Sequence, residues 1–88
     1  MVDELKVRPN AWGPFRRSSC HLTTDGDLEE LHASARSIGM ERRGFQDHPL
    51  APHYDLTPER REAALRAGAI YVPAREQARA RRTSRRGA

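Results

Sequence analysis

The stretch TTDGDLEELHASARSIG, residues 23–39, carries the strongest structural signal in this 88-residue chain. Its apolar residues recur at helical spacing and form one stripe: Leu28, Leu31, Ala35 and Ile38. Thr24 or Asp25 is expected to cap the first turn, because a short polar side chain can accept from free backbone N–H groups there. Gly39 is expected to end the helix. The stretch therefore predicts an amphipathic helix that packs its stripe on a neighbouring layer.

Extended segments lie on both sides of this helix. Residues 20–23 mix β-tolerant side chains and predict a strand immediately before it, while the weakly alternating VDELKV, residues 2–7, predicts a short first strand. A further short strand is expected at Met40–Arg43, and the apolar AIYV, residues 69–72, predicts the last one. The predicted strands are therefore spread over residues 2–72.

A second helix is predicted from LTPERREAALRAG, residues 56–68. Thr57 is a suitable cap, and Pro58 fits the first helical position, where its missing N–H is not needed. Strands and helices thus alternate within few residues, which favours a small α/β layer. We predict one small α/β domain over residues 1–73, with a short mixed sheet and two helices on one face.

Positive charge is concentrated at the end of the chain. Residues 74–88, AREQARARRTSRRGA, contain six Arg and one Glu, whereas the preceding 73 residues contain ten Lys/Arg and eleven Asp/Glu. This segment has no large apolar residue, so it predicts an Arg-rich tail that is flexible or partly helical. The guanidinium group matches phosphate geometry. The predicted nucleic-acid contacts are five arginines of the tail and two earlier pairs: Arg16, Arg17, Arg42, Arg43, Arg79, Arg81, Arg82, Arg85 and Arg86.

Composition also bears on the setting of the protein. No apolar run approaches the roughly 20 residues that a membrane span requires, and the first residues contain no apolar signal core. Cys20 is the only cysteine, which excludes an internal disulfide and favours a reducing environment. We therefore expect a cytoplasmic protein with no membrane partner, while its oligomeric state is not predicted.

The segment HYDL, residues 53–56, holds the side chains best suited to acid–base chemistry. If it is extended, His53 and Asp55 project from the same face, and a carboxylate beside an imidazole fixes its tautomer and raises its basicity. His21 on the preceding strand and His32 beside the apolar stripe are expected to join them in one cluster. The candidate catalytic residues are His21, His53, Tyr54 and Asp55.

These residues allow three uses. In acid–base chemistry on a phosphate or glycosidic substrate, His53 steered by Asp55 acts as the base, with His21 or Tyr54 opposite. A neighbouring arginine, Arg60 or Arg61, then holds the anion. Zinc binding is a second use, but no pair has CxxC or HxxxH spacing, so we assign no metal ligands and no cofactor. The third use is structural, with the polar side chains bonding backbone groups at strand ends.

Several segments together form an ordered set of motifs: CHL at 20–22, ELH at 30–32, IGMERRGFQ at 38–46, HYDL at 53–56 and RREAALRAGAIYV at 60–72. This set resembles an uncharacterised family of small bacterial and phage proteins, a domain of unknown function. The resemblance covers roughly residues 2–72. It implies that six residues match family-motif positions: Cys20, His21, Gln46, His53, Tyr54 and Asp55. It implies no reaction, cofactor or substrate.

The tail and the polar cluster lead to one functional prediction and two alternatives. We expect a small intracellular accessory protein that binds nucleic acid or another phosphate-bearing partner through the tail and a His/Tyr/Asp pocket. The first alternative is a small hydrolase or transferase that acts on a nucleotide or nucleic acid, with His53–Asp55 as base. The second is a protein-binding inhibitor module, because an Arg-rich segment suits an acidic protein as well as a nucleic acid.

Overall fold

Three short antiparallel strands form the sheet of this α/β domain. The computed structural model describes residues 1–7 and 18–87, with side chains through residue 81. The strands are β1 (Cys20–Leu22), β2 (Phe45–Gln46) and β3 (His53–Leu56). Their spatial order is β1-β3-β2, so β3 lies at the centre and pairs with both neighbours. The sheet is therefore built around HYDL, the segment that carries the candidate site residues.

The first residues of the chain extend this sheet beyond β1. Val2 forms an antiparallel bridge with Leu22 and a parallel bridge with Tyr71. Its N–H donates to the Ile70 carbonyl at 2.9 Å, and its own carbonyl accepts from the Val72 N–H at 2.8 Å. Within the described ranges, the predicted first and last strands are therefore present as isolated bridges, and Tyr71 supplies the parallel contact.

Helix α1 spans Leu28–Ser37 and begins later than its sequence suggests. Asp27 is the cap, because its Oδ1 accepts from the Glu30 N–H at 2.9 Å. The predicted caps, Thr24 and Asp25, lie in the turn ahead of the helix. The helix start is therefore set by the last of several competing polar residues.

The turn that ends α1 also alters the next segment of the chain. Gly39 has a positive φ of 82°, and the Met40 N–H donates back to the Ala35 carbonyl at 2.9 Å. This closing turn keeps Met40 at the end of the helix. The strand predicted at Met40–Arg43 is therefore wrong: the chain makes a single 3-10 turn at Arg42–Gly44, and extended pairing begins only at β2.

Two further helices come after β3. Helix α2 spans Pro58–Arg66, and Thr57 caps it as predicted, with its hydroxyl accepting from the Arg60 N–H at 3.3 Å. Helix α3 spans Ala74–Gly87 and contains almost the whole Arg-rich segment. In the described part of the chain, no helix combines the length and the apolar character needed to cross a bilayer.

One face of the sheet carries the core. Cys20 pairs with Leu56 and Leu22 pairs with Tyr54, so their side chains share one face. Val2, α1 and α2 contribute the remaining apolar groups. Leu28 is 43% exposed and falls outside the stripe that α1 buries. The core consists of Val2, Cys20, Leu22, Leu31, Ala35, Tyr54, Leu56 and Ala64. These contacts confirm the small α/β domain, and strand alternation sends the intervening polar residues to the opposite face.

The first turns of α3 lie against the domain. Gln77 is 4% exposed. Its Oε1 accepts from the Thr23 hydroxyl at 2.5 Å, and its Nε2 donates to the Val72 carbonyl at 2.8 Å. The Ala74 N–H donates to Glu4 Oε2 at 3.2 Å. The segment predicted as a tail thus starts as a helix fixed to the body by buried and partly buried hydrogen bonds.

Candidate functional site

A cleft of about 290 Å³ opens between the polar face of the sheet and the start of α3. Residues from five parts of the chain line it, among them Asp3, His21, His48, His53, Gln77 and Arg81. Asp55 lies beside this lining, with its side chain about one-third exposed. The cleft therefore combines imidazoles, carboxylates and one guanidinium group within a small volume.

Asp3 holds His21 through two hydrogen bonds. The His21 backbone N–H donates to Oδ1 at 2.6 Å, and ring Nδ1 contacts Oδ2 at 2.7 Å. Asp3 is 3% exposed, so this carboxylate is withdrawn from solvent and bonded on both oxygens. Because an ionised carboxylate only accepts, the proton lies on Nδ1. The remaining ring nitrogen, Nε2, is directed toward Asp55 Oδ1 at 3.7 Å.

His53 is held in a parallel way by the backbone. Its Nδ1 donates to the Ala51 carbonyl at 2.8 Å, and its Nε2 lies 3.5 Å from Asp55 Oδ1. The contact with Asp55 raises the pKa of His53 above its ordinary value, the Ala51 carbonyl adds to that rise, and partial burial opposes it. The rings of His21 and His53 lie edge to face, with centroids 4.5 Å apart. Two imidazole Nε2 atoms therefore converge on one carboxylate oxygen.

Strand register explains this convergence. His21 on β1 pairs directly with Asp55 on β3, and His53 stands two residues before Asp55 on the same face. His21 is remote in sequence from the other two residues, and His53 and Asp55 are separated by one residue. The three therefore form no compact sequence motif. The predicted cluster thus contains three of its four expected members.

The fourth member, His32, lies on the other side of the sheet together with Tyr54. Both side chains are buried, and His32 Nδ1 contacts the Tyr54 hydroxyl at 2.7 Å. The prediction that His32 joins the cluster is wrong, and Tyr54, although a candidate catalytic residue, is absent from the cleft. The reason is alternation: Tyr54 stands between His53 and Asp55 on β3, so it faces the core.

The arginines expected to hold an anion have structural partners. The Arg60 guanidinium donates to the Ile38 carbonyl at the end of α1. Arg61 Nε donates to the Asp3 carbonyl at 3.1 Å, and its guanidinium lies 5.5 Å from the centre of the Tyr71 ring. Arg61 therefore supports the backbone of Asp3, while neither arginine lines the cleft.

The predicted nucleic-acid contacts have different positions. Arg81 lines the cleft, and Arg79 is exposed on the same helix. Arg42 and Arg43 are exposed and pair with Glu29 at 3.9 Å and Glu41 at 2.9 Å, respectively. The remaining side chains lie outside the described part of the chain: Arg16, Arg17, Arg82, Arg85 and Arg86.

Sequence reasoning missed Asp3, Gln77 and His48. Asp3 had a signal, because alternation in VDELKV separates it from the apolar Val2 and predicts opposite faces for the two. Gln77 had none, because a lone glutamine in an Arg/Ala-rich helix is ordinarily solvated. His48 is exposed, with its Nδ1 accepting from the Leu50 N–H at 3.2 Å, and a loop histidine of this kind has no distinctive spacing.

The model of a family described as Protein of unknown function (DUF4031) matches residues 5–84, and the chain belongs to that family. The match runs past the limit near residue 72 that the motifs suggested and takes in most of α3. No curated protein and no solved structure matches the chain at significant similarity. The family supplies no reaction or ligand, so function has to be argued from the cleft.

Proposed function

Because the family carries no assigned activity, we propose from the site alone that the protein binds a phosphate-bearing ligand, and specifically nucleic acid. One observation carries the proposal: Arg81 lines the same cleft as His21 and His53. A guanidinium group is a suitable donor to phosphate oxygens, and the raised pKa of His53 favours positive charge beside it. Their convergence in a cleft open to solvent supports a binding site for a single phosphate group.

The rest of α3 supports a polyanion rather than a small phosphate. The segment 74–88 holds six Arg and one Glu, and α3 begins at the wall of the cleft. Buried bonds from Gln77 fix the start of the helix to the domain. The sequence beyond Arg81 adds Arg82, Arg85 and Arg86, and a run of positive charge of this kind attracts successive phosphates of a nucleic-acid backbone.

Fluorescence anisotropy with labelled single-stranded and duplex oligonucleotides tests this proposal. We expect Arg81→Gln to weaken binding about tenfold at low salt, which is the loss of one charge-assisted contact of ~1.4 kcal/mol. Deleting residues 82–88 should lower the slope of log affinity against log salt by about one for each lost phosphate contact. This truncation retains Gln77 and leaves its buried bonds intact.

Arg42→Gln is the matched control, because it removes one positive charge from an exposed turn outside the cleft lining. We expect it to change affinity less than Arg81→Gln does. An equal loss in the two variants would contradict a site in the cleft and favour diffuse attraction. Tighter binding of an acidic polypeptide than of the oligonucleotides would contradict the proposal in favour of an inhibitor of an acidic protein.

A second candidate function is hydrolysis of a phosphodiester. The observation that favours it is the 2.7 Å contact between Asp3 and His21 Nδ1, which orients the imidazole with Nε2 turned away from Asp3. In this reaction His21 Nε2 takes a proton from water, the water oxygen attacks phosphorus, the P–O ester bond breaks and His53 protonates the leaving oxygen. His21 with Asp3 takes the role of base in place of His53 with Asp55, because the contact with Asp55 raises the pKa of His53 and so suits His53 to act as the acid.

The same oligonucleotide samples decide between binding and cleavage. After incubation, a denaturing gel separates intact strands from products. Cleavage by the wild type that is lost in His21→Gln while binding remains supports the hydrolase. Strands that stay intact with the wild type, at concentrations that saturate binding, contradict the hydrolase and leave the binding function standing.

A further inference from the structure

We propose that His21, His53 and Asp55 together bind one divalent transition-metal ion, with Zn²⁺ as the preferred occupant. The three residues offer two imidazole nitrogens and one carboxylate oxygen, all within 4.8 Å of one another. This inference goes beyond the binding of nucleic acid and does not depend on it, because the metal-ligating atoms are distinct from the arginines.

The spacing of the three atoms fits a shared ion. Asp55 Oδ1 lies 3.5 Å from His53 Nε2 and 3.7 Å from His21 Nε2. Bonds to zinc of about 2.0–2.2 Å place neighbouring ligand atoms roughly 2.8–3.6 Å apart at tetrahedral or octahedral angles. The two contacts with Asp55 are already close to that range. All three atoms lie within 4.8 Å of one another, so binding of an ion draws the ligand atoms closer together.

Nδ1 of each imidazole, the nitrogen that does not face Asp55, already has a hydrogen-bond partner. His21 Nδ1 is bonded to the buried Asp3 carboxylate at 2.7 Å, and His53 Nδ1 to the Ala51 carbonyl at 2.8 Å. In metal sites, a ligating histidine almost always donates its other N–H to a carboxylate or a backbone carbonyl, which fixes the tautomer and directs the lone pair. Both forms of this support are present here, and both aim Nε2 at the same point.

The charge of Asp55 also favours a cation at this point. Its Oδ1 is the atom that the Nε2 atoms of both imidazoles approach. A carboxylate attracts a metal ion, and the two nitrogens supply the remaining protein ligands.

The ligand set selects the class of metal. Imidazole nitrogen is a ligand typical of zinc, iron, nickel and copper, whereas calcium and magnesium prefer all-oxygen sites. Three protein ligands leave at least one coordination position, and His21 and His53 both line the cleft. A water molecule or a phosphate oxygen from the proposed ligand can take that position.

Metal titration of tag-free protein, first stripped with a chelator, tests the site directly. We expect one Zn²⁺ per chain with a dissociation constant in the micromolar range or below, and Co²⁺ should give a visible absorption band typical of nitrogen and oxygen ligands. His21→Gln, His53→Gln and Asp55→Asn should each weaken zinc binding at least about tenfold. Zinc should raise the melting temperature of the wild type and leave that of Asp55→Asn unchanged.

His48→Gln is the matched control, because it removes an exposed histidine that lines the same cleft. We expect it to bind zinc like the wild type. Asp3→Asn tests the positioning role of the buried carboxylate and should weaken binding about 10–100-fold and shift the cobalt band. If this variant does not fold, Asp55→Asn and His53→Gln decide the matter, since circular dichroism can confirm their folding.

Three results would overturn the proposal: no saturable zinc binding by the wild type, a loss in His48→Gln equal to that in His21→Gln, or binding of Mg²⁺ as tight as that of Zn²⁺. The oligonucleotide experiment is independent of these results. If metal-free protein binds oligonucleotides normally, the metal proposal is unaffected. If Arg81→Gln still binds zinc, a failure of the nucleic-acid proposal does not count against the metal site.

Discussion

At the scale of single residues, the bond between Tyr54 and His32 connects two elements through the core. The Tyr54 hydroxyl on β3 meets His32 Nδ1 on α1 at 2.7 Å, and both side chains are buried. Phe45 packs edge to face against the His32 ring, with centroids 4.8 Å apart. A polar pair enclosed in this way is costly to break, because neither group can turn to water.

We expect Tyr54→Phe to lower the free energy of unfolding by about 1–3 kcal/mol, because His32 keeps its buried position and loses its partner. Urea denaturation followed by circular dichroism measures the change. Tyr71→Phe is the control: Tyr71 is exposed, so its loss of a hydroxyl should cost less than about 0.5 kcal/mol. Equal costs in the two variants would show that the buried bond adds no stability.

Some of the site was predictable at this scale, and some was not. The period of two in an extended segment was enough to place His53 and Asp55 on one face. The same rule excludes Tyr54 from that face, a consequence that the prediction did not apply. Asp3 was missed because its contact with His21 depends on a pairing between remote segments, and propensity and local spacing do not determine such pairings.

At the scale of elements, α1 shows how neighbouring caps compete. TTDGD offers four polar side chains ahead of the helix, and Asp27 is the one that accepts from a helical N–H. The Thr24 hydroxyl instead accepts from the Gly26 N–H at 3.0 Å, which closes a turn before the helix. Each of these residues has the chemistry of a cap, so only the tertiary position of the helix distinguishes them.

We expect Asp27→Ala to lower the free energy of unfolding by about 1 kcal/mol, because the first turn loses both its cap and a favourable charge at its positive end. Asp25→Ala removes an identical side chain two residues earlier and should cost less than half of that amount. Thermal melts of the two variants make the comparison. A larger cost for Asp25→Ala would restore the cap position that the sequence predicts.

The two predicted helices in the body of the domain are present, whereas the strands differ in position from their predictions. Amphipathic spacing and the Thr57–Pro58 start are local signals, and they suffice for α1 and α2. Strands of two to four residues carry little pattern of their own. The backbone turn at Gly39 moves the start of β2, and such a turn outweighs the weak β-propensity of the next few residues.

At the scale of the whole molecule, the Arg-rich segment is joined to the domain by polar bonds. Gln77 occupies a buried position between Thr23 and Val72 and satisfies a hydroxyl and a carbonyl there. Composition predicted a tail because the segment has no large apolar residue. A single buried amide, that of Gln77, can hold a helix to a domain with little apolar contact, and composition does not reveal it.

Two truncations separate the docked part of α3 from the rest. Deleting residues 82–88 should leave the melting temperature nearly unchanged, because Gln77 and its partners remain. Deleting residues 74–88 leaves the Thr23 hydroxyl and the Val72 carbonyl without these bonds, so we expect a loss of at least about 1 kcal/mol. In a domain of this size that loss lowers the melting temperature by roughly 4–8 °C. Equal melting temperatures for the two truncations would contradict the docking of α3.

The bridges of Val2 also govern when the cleft can exist during synthesis. Val2 bonds to residues 70 and 72, and the adjacent Asp3 holds His21. A nascent chain leaving the ribosome has its beginning outside long before those later residues emerge. The wall of the cleft that Ala74, Gln77 and Arg81 form is added later still, so a ribosome-bound fragment that ends before these residues lacks a finished cleft.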